Sequence, residues 1–125
     1  MTTYFCPKCW SEFKEDFRKC PVCGYDITEY KKLPYEDRLI ISLGHPVREV
    51  RMNTIRLLGH MKSEKVLPHF EKMADTEDVF ILMAIVDSLA IIRSRRAIEL
   101  LSRLAEHNSK IVSQAAKKVL ENLEP

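Results

Sequence analysis

From residue 35 onward, apolar and polar positions alternate with helical spacing, and the pattern predicts six helices at about 35–43, 46–61, 64–74, 77–92, 95–106 and 109–123. The fourth differs from the rest. Its run "VFILMAIVDSLAII", residues 79–92, has twelve apolar residues among fourteen, and only Asp87 and Ser88 interrupt it. A helix that covers one side of a core keeps a polar stripe for water; this one has almost none. It is also too short to span a bilayer, which takes about 20 apolar residues, and "DTED" and "RSRR" bracket it. The run is therefore expected to be buried on most sides, or to carry an outer face that something else covers.

The apolar positions repeat. At an offset of 31, Leu58 falls on Leu89, Leu67 on Ile98, Phe70 on Leu101 and Met73 on Leu104. A second shift places Ile81 on Val112, Ala84 on Ala115 and Leu89 on Leu120. A period near thirty with two helices per unit predicts an α-solenoid. The segments "HPVREVR" entering a helix, "LLGHM" ending it and "KSEKVLPHF" starting its partner resemble HEAT-like repeats, particularly the short class named after phycobilisome lyases. The resemblance covers residues 36–124 and implies stacked helix pairs, the first helix of each pair lying on the convex side.

On that layout Val79, Met83, Val86 and Ala90 are expected to form one outward stripe, at i, i+4, i+7, i+11 spacing, with Phe80 and Leu82 beside it. Such a stripe amounts to a few hundred Å² of apolar surface, roughly the size that marks a protein-binding site. The second helices offer two further rows, Arg38, His69, Leu100 and Ile41, Lys72, Arg103. A mixed basic and apolar groove of this kind suits a peptide or helix with acidic residues.

The first thirty residues have a different grammar. All four cysteines lie in "CPKCWSEFKEDFRKCPVCG", as two C-P-x-C pairs. Each turn can aim two sulfurs at one ion, and two turns face to face give the closed tetrahedral S4 set typical of structural zinc. The halves match at an offset of 14, with Cys6 on Cys20, Cys9 on Cys23 and Phe13 on Ile27. This stretch resembles the short zinc-ribbon family over residues 4–28. The resemblance implies two knuckles, a small β-hairpin and one Zn2+ held by Cys6, Cys9, Cys20 and Cys23. One position departs from it: where the second knuckle has Gly24, the first has Trp10. Glycine there relieves a left-handed backbone, so the geometry of the first knuckle is open, and the indole is expected either to close the small core or to face a partner.

Paired disulfides would suit a secreted chain, but "MTTYFCPKCW" has no basic-then-apolar start, and a cytoplasmic location is expected. A thioredoxin-like pair would need a βαβ setting, and a rubredoxin-like iron site normally has a longer spacer. About thirty residues with few large apolar side chains cannot bury enough surface alone, so the metal is expected to supply folding free energy on the order of 10 kcal/mol. "TEYKKLPYED" reads as a connection. The chain is thus expected to be mostly α, with a zinc ribbon at 1–30, a linker at 31–35 and a solenoid at 36–125.

Charge narrows the partners. The chain of 125 residues is 46% hydrophobic and 30% charged, with a formal net charge of +2. Neither part is strongly basic, so no general pull toward nucleic acid or anionic membrane is expected. Two local clusters give an alternative nucleic-acid surface: Lys8, Trp10, Arg18 and Lys19 on the ribbon, and Arg93, Arg95 and Arg96, with Lys62 and Lys65, at one edge of the repeats. The opposite edge carries Asp75, Glu77, Asp78 and Glu106. Acids at helix starts and bases at helix ends are also what the helix dipole favours, and that reading is preferred. Catalysis finds little support. His45, His60, His69 and His107 lie apart, no His-Glu pair occurs, and no glycine-rich phosphate loop is present. The expected function is a non-enzymatic zinc-binding adaptor. Its partner is another protein, a second copy of the chain, or its own ribbon folded onto the solenoid; no membrane is expected.

Overall fold

A computed structural model describes residues 3–75 and 78–123. Among these residues, strands β1 (Tyr4–Phe5) and β2 (Glu12–Phe13) precede seven helices: α1 (Ile27–Lys31), α2 (Tyr35–Ile41), α3 (Arg48–His60), α4 (Leu67–Met73), α5 (Val79–Ile92), α6 (Arg95–Leu104) and α7 (Lys110–Leu123). A 3-10 turn, Ser42–Gly44, follows α2. The fold is mostly α with a small hairpin, as expected, and α2 to α7 are the six predicted helices. They are shorter than predicted at several ends, and the expected start of the fourth at Glu77 lies outside the described residues. Helix α1 is additional; the Asp26 carboxylate accepts the Thr28 N–H at 2.9 Å and caps its first turn.

The chain divides into two compact units, residues 1–51 and 52–125, the division falling within α3. In the first unit, β1 and β2 pair antiparallel with Tyr4 opposite Phe13 and Phe5 opposite Glu12. A single bridge, Lys19 to Asp26, repeats the Phe5–Glu12 pair fourteen residues later. Among the described residues of this unit, the buried side chains are Cys6, Cys20 and Leu39. So small an apolar interior cannot offset the conformational entropy of the chain.

The second unit has an ordinary core. Ile55, Leu58, Leu67, Phe70, Ile81, Leu82, Ile85, Leu89, Leu101 and Leu104 are all fully buried. Helix α5 packs against α6 and α7, and α6 packs against α4 and α7. The period of 31 extends from the core into the helix ends. Ser63 and Ser94 each accept the N–H three residues on, from Val66 at 3.3 Å and Ala97 at 3.2 Å. Lys62 and Arg93 each adopt a left-handed backbone, with φ of 54° and 55°. Asp78 and Ser109 likewise face the N–H of Ile81 at 2.9 Å and Val112 at 3.5 Å. Equivalent residues thus end and begin equivalent helices.

The apolar run of α5 is explained within this unit, because eight of its fourteen residues are buried. At Ser88 the run passes so close to α3 that a Cβ on Gly59 would lie 2.6 Å from the Ser88 Cβ. Three elements therefore cover α5, and they reach further round it than one core stripe would. The expected outward stripe is corrected accordingly. Val86 is 1% exposed and Leu82 is fully buried, while Val79, Met83 and Ala90 are half-buried. The outward face is turned by about half a residue step, to Phe80, Met83, Asp87 and Ala90. Leu100 is corrected too: it is 3% exposed. With Ala97, Leu101 and Leu104 it completes the i, i+3, i+4, i+7 core face of α6.

Candidate metal centre and binding surfaces

The two knuckles are local duplicates built by their own backbone. Trp10 N–H bonds the Cys6 carbonyl at 2.8 Å, and Gly24 N–H bonds the Cys20 carbonyl at 2.9 Å. Cys6 N–H bonds the Ser11 carbonyl at 3.1 Å, and Cys20 N–H bonds that of Tyr25 at 2.9 Å. The N–H groups of Lys8 and Val22 point at the Cys6 and Cys20 sulfurs, each at 3.4 Å. This equivalence forces Trp10 into the conformation of its glycine counterpart, with φ of 61° against 78° for Gly24. A left-handed non-glycine residue costs roughly 1–2 kcal/mol, and the indole has contacts that offset it.

The four sulfurs all lie within 4.8 Å of one another. Cys6 and Cys23 are 3.6 Å apart, as are Cys9 and Cys20. A tetrahedron with metal–sulfur bonds of about 2.3 Å has edges of about 3.8 Å, so the residues present fit a tetrahedral ion such as zinc. Their proton affinities point the same way. The Ser11 hydroxyl and backbone bring Cys9 down to about 6. Cys23 receives a thiolate-favouring bond from the Tyr25 backbone, yet burial and the Cys6, Cys9 and Cys20 sulfurs push it up to about 11. Crowded thiols cannot all ionise without a cation among them; a divalent ion would make the four-thiolate state accessible.

Trp10 is half-buried inside the first unit. Its ring lies 5.1 Å from that of His45, which also meets Phe5 at 4.4 Å. A Cβ on Gly44 would come within 2.8 Å of the indole nitrogen. The indole therefore closes on the turn after α2. Gly44 and His45 carry this contact, and nothing local in the sequence marked them.

The alternative nucleic-acid residues are mostly engaged within the chain. Lys8 lies over the Tyr25 ring at 5.9 Å, and Arg18 is 3.8 Å from Asp26. Lys19 is exposed. At the basic edge of the repeats, Arg93 Nε bonds the Ala90 carbonyl at 2.8 Å, and Arg95 lies 3.6 Å from Glu99. Arg96 grips both oxygens of Glu71, at 2.7 and 3.2 Å, and this contact holds the Glu71 carboxyl below its usual range. Arg93 stands at the end of α5, where the helix dipole favours a cation, but Arg95 and Arg96 open α6, where it does not; they are held instead by Glu99 and by Glu71 across to α4.

Of the second set of rows, His69, Lys72 and Arg103 are exposed, whereas Arg38 is half-buried over the Tyr35 ring at 5.7 Å. Arg103 pairs with Asp75 and donates to the Glu71 carbonyl at 3.3 Å. Two of the four histidines shape turns. His45 and His107, two periods apart, accept at Nδ1 the N–H of Val47 and Ser109, each at 3.0 Å. Among the described residues of the second unit, the most exposed large apolar side chains are Phe80, 59% exposed, and Ile111, 61% exposed. They occupy equivalent positions 31 residues apart on α5 and α7. No described helix is long and apolar enough to cross a membrane.

Among known families, the one described as HEAT repeats matches residues 36–121. No curated protein and no solved structure matches the chain.

Proposed function

The chain belongs to the HEAT-repeat family, and from that premise we propose that it is a non-enzymatic adaptor that binds another protein through its repeats and carries one structural zinc ion in its N-terminal ribbon. One observation carries the proposal: Phe80 and Ile111, at the same place in successive repeats, are large apolar side chains more than half exposed, and their recurrence at the repeat period distinguishes them from singly scattered surface residues. Met83 extends this surface, and Asp87 adds a charge that favours a partner with basic groups at its margin.

Zinc is the proposed ion because four thiolates in tetrahedral reach suit it. Its role is to hold a unit that has almost no apolar core. The chemistry it supplies is that of a cross-link; Cys6, Cys9, Cys20 and Cys23 fill its coordination and leave no position for a substrate. The cytoplasm, where thiols stay reduced, is the proposed compartment.

Affinity capture with the wild-type chain and Phe80→Glu, scored by mass spectrometry, tests the adaptor reading. A partner retained by the wild type and lost by a folded Phe80→Glu supports it. Equal capture by both removes this surface from consideration. Native mass spectrometry of the purified chain should find one zinc per molecule.

A further inference from the structure

Trp10 sits between the metal ligands and the helical part of the first unit. It follows Cys9 directly, and Phe5 precedes Cys6, so the two rings that meet His45 flank the first pair of sulfurs. His45 in turn shapes the turn that leads into α3. Its N–H bonds the Ser42 carbonyl at 3.1 Å, its Nδ1 accepts from Val47 at 3.0 Å, and its carbonyl accepts from Arg51 Nη1 at 3.0 Å. Gly44 has no side chain to keep the indole away.

The strain at Trp10 gives this contact a direction. The left-handed backbone of Trp10 accompanies the Trp10 N–H to Cys6 carbonyl bond that closes the knuckle. In the second knuckle a glycine meets the same demand without cost. The first knuckle thus uses a residue that the local geometry disfavours, and that residue's side chain reaches the Gly44–His45 turn.

We propose that Trp10 is a strut through which metal occupancy of the ribbon sets the conformation of the turn at residues 42–51. This rests on the metal-binding reading above. With the ion bound, the Cys6–Cys9 knuckle is closed, Trp10 is left-handed, and the indole covers Gly44 and His45. With the ion removed, the knuckle opens, Trp10 returns to a right-handed or extended backbone, and the turn into α3 loses its aromatic cover. Metal supply would then regulate the start of α3 as well as the ribbon.

Trp10 is the one tryptophan of the chain, so its emission reports the contact directly. The test uses the full chain loaded with Zn2+, its metal content followed by native mass spectrometry, before and after a chelator. Metal loss should move the emission to longer wavelength and raise hydrogen exchange at the His45 and Arg51 amides about tenfold or more, with both reversed by Zn2+. Trp10→Gly should bind Zn2+ as the second knuckle does with Gly24, while its 42–51 segment exchanges rapidly with or without metal. Gly44→Ala, which leaves the knuckle untouched, should keep its ion and show the same rapid exchange.

Loss of the ion with emission and exchange unchanged would overturn the proposal. So would a Trp10→Gly chain whose turn still responds to Zn2+, or one that no longer holds zinc, since Trp10 would then build the site instead of transmitting its state. A native chain that holds no ion at any Zn2+ concentration would sink the metal reading itself, a separate result.

Discussion

The Ser88 hydroxyl donates to the Ile55 carbonyl at 2.7 Å, across 33 residues of sequence. The one small polar side chain buried in the apolar run of α5 is therefore the pin between α5 and α3, placed where Gly59 lets the two helices touch. Gly59→Ala would set a methyl 2.6 Å from the Ser88 Cβ and 2.7 Å from its Cα. Overpacking of this kind costs about 1–3 kcal/mol and outweighs the gain of up to about 1 kcal/mol from alanine in a helix. Ser88→Ala should cost about 1 kcal/mol for the lost bond. Thermal unfolding should show Gly59→Ala with a Tm several degrees below wild type and Ser88→Ala between the two.

Chelation should unfold the ribbon and spare the second unit. The latter has its own buried core, whereas the former has little besides sulfur to bury. Far-ultraviolet circular dichroism should keep most of its helical signal, while exchange protection disappears from residues 4–28. Cys20→Ser should behave like chelated wild type, because it opens a four-thiolate site whose binding free energy is the folding free energy of the ribbon.

Burial, aided by the Arg51 charge, lowers the proton affinity of His45 in the folded chain. The neutral form is thus the one the fold accommodates. Its contribution to stability is complete above the unfolded histidine value of about 6.5 and is lost as pH falls through that value toward the lower folded one. Wild type should lose stability over this window. His45→Asn, whose amide oxygen can accept the Val47 N–H, should lose less. Metal content measured at each pH separates this effect from protonation of the cysteines.

Arg96→Ala tests the basic edge. Its two bonds to Glu71 join α6 to α4 at a half-exposed site, where a bidentate pair contributes up to about 1 kcal/mol. The expected result is a small loss in denaturant midpoint that shrinks in high salt, with no change in helical content.

Much of this protein was legible in its sequence because the signals are local. Two C-P-x-C turns 14 residues apart specify a tetrahedral sulfur site through their own backbone hydrogen bonds. Helices with apolar residues at i, i+3, i+4 and i+7 specify themselves, and the period of 31 showed that they come in equivalent pairs. The same spacing, applied to α6, points Leu100 inside beside Leu101 and Leu104, whereas alignment with the exposed His69 puts it in an outward row.

Tertiary structure decided what spacing leaves free. An apolar run has no polar stripe to fix its rotation, so only the covering helices and the Gly59–Ser88 approach could bury Val86 and turn Phe80 outward. Trp10 at a glycine position leaves two uses open for its indole, closing the small core or facing a partner; the residues it meets lie more than thirty positions away, at Gly44 and His45. The chain itself determines which residues can form helices and hold an ion, since those depend on near neighbours. Which side chains meet water depends on what packs against them, and packing is settled only when distant segments come together.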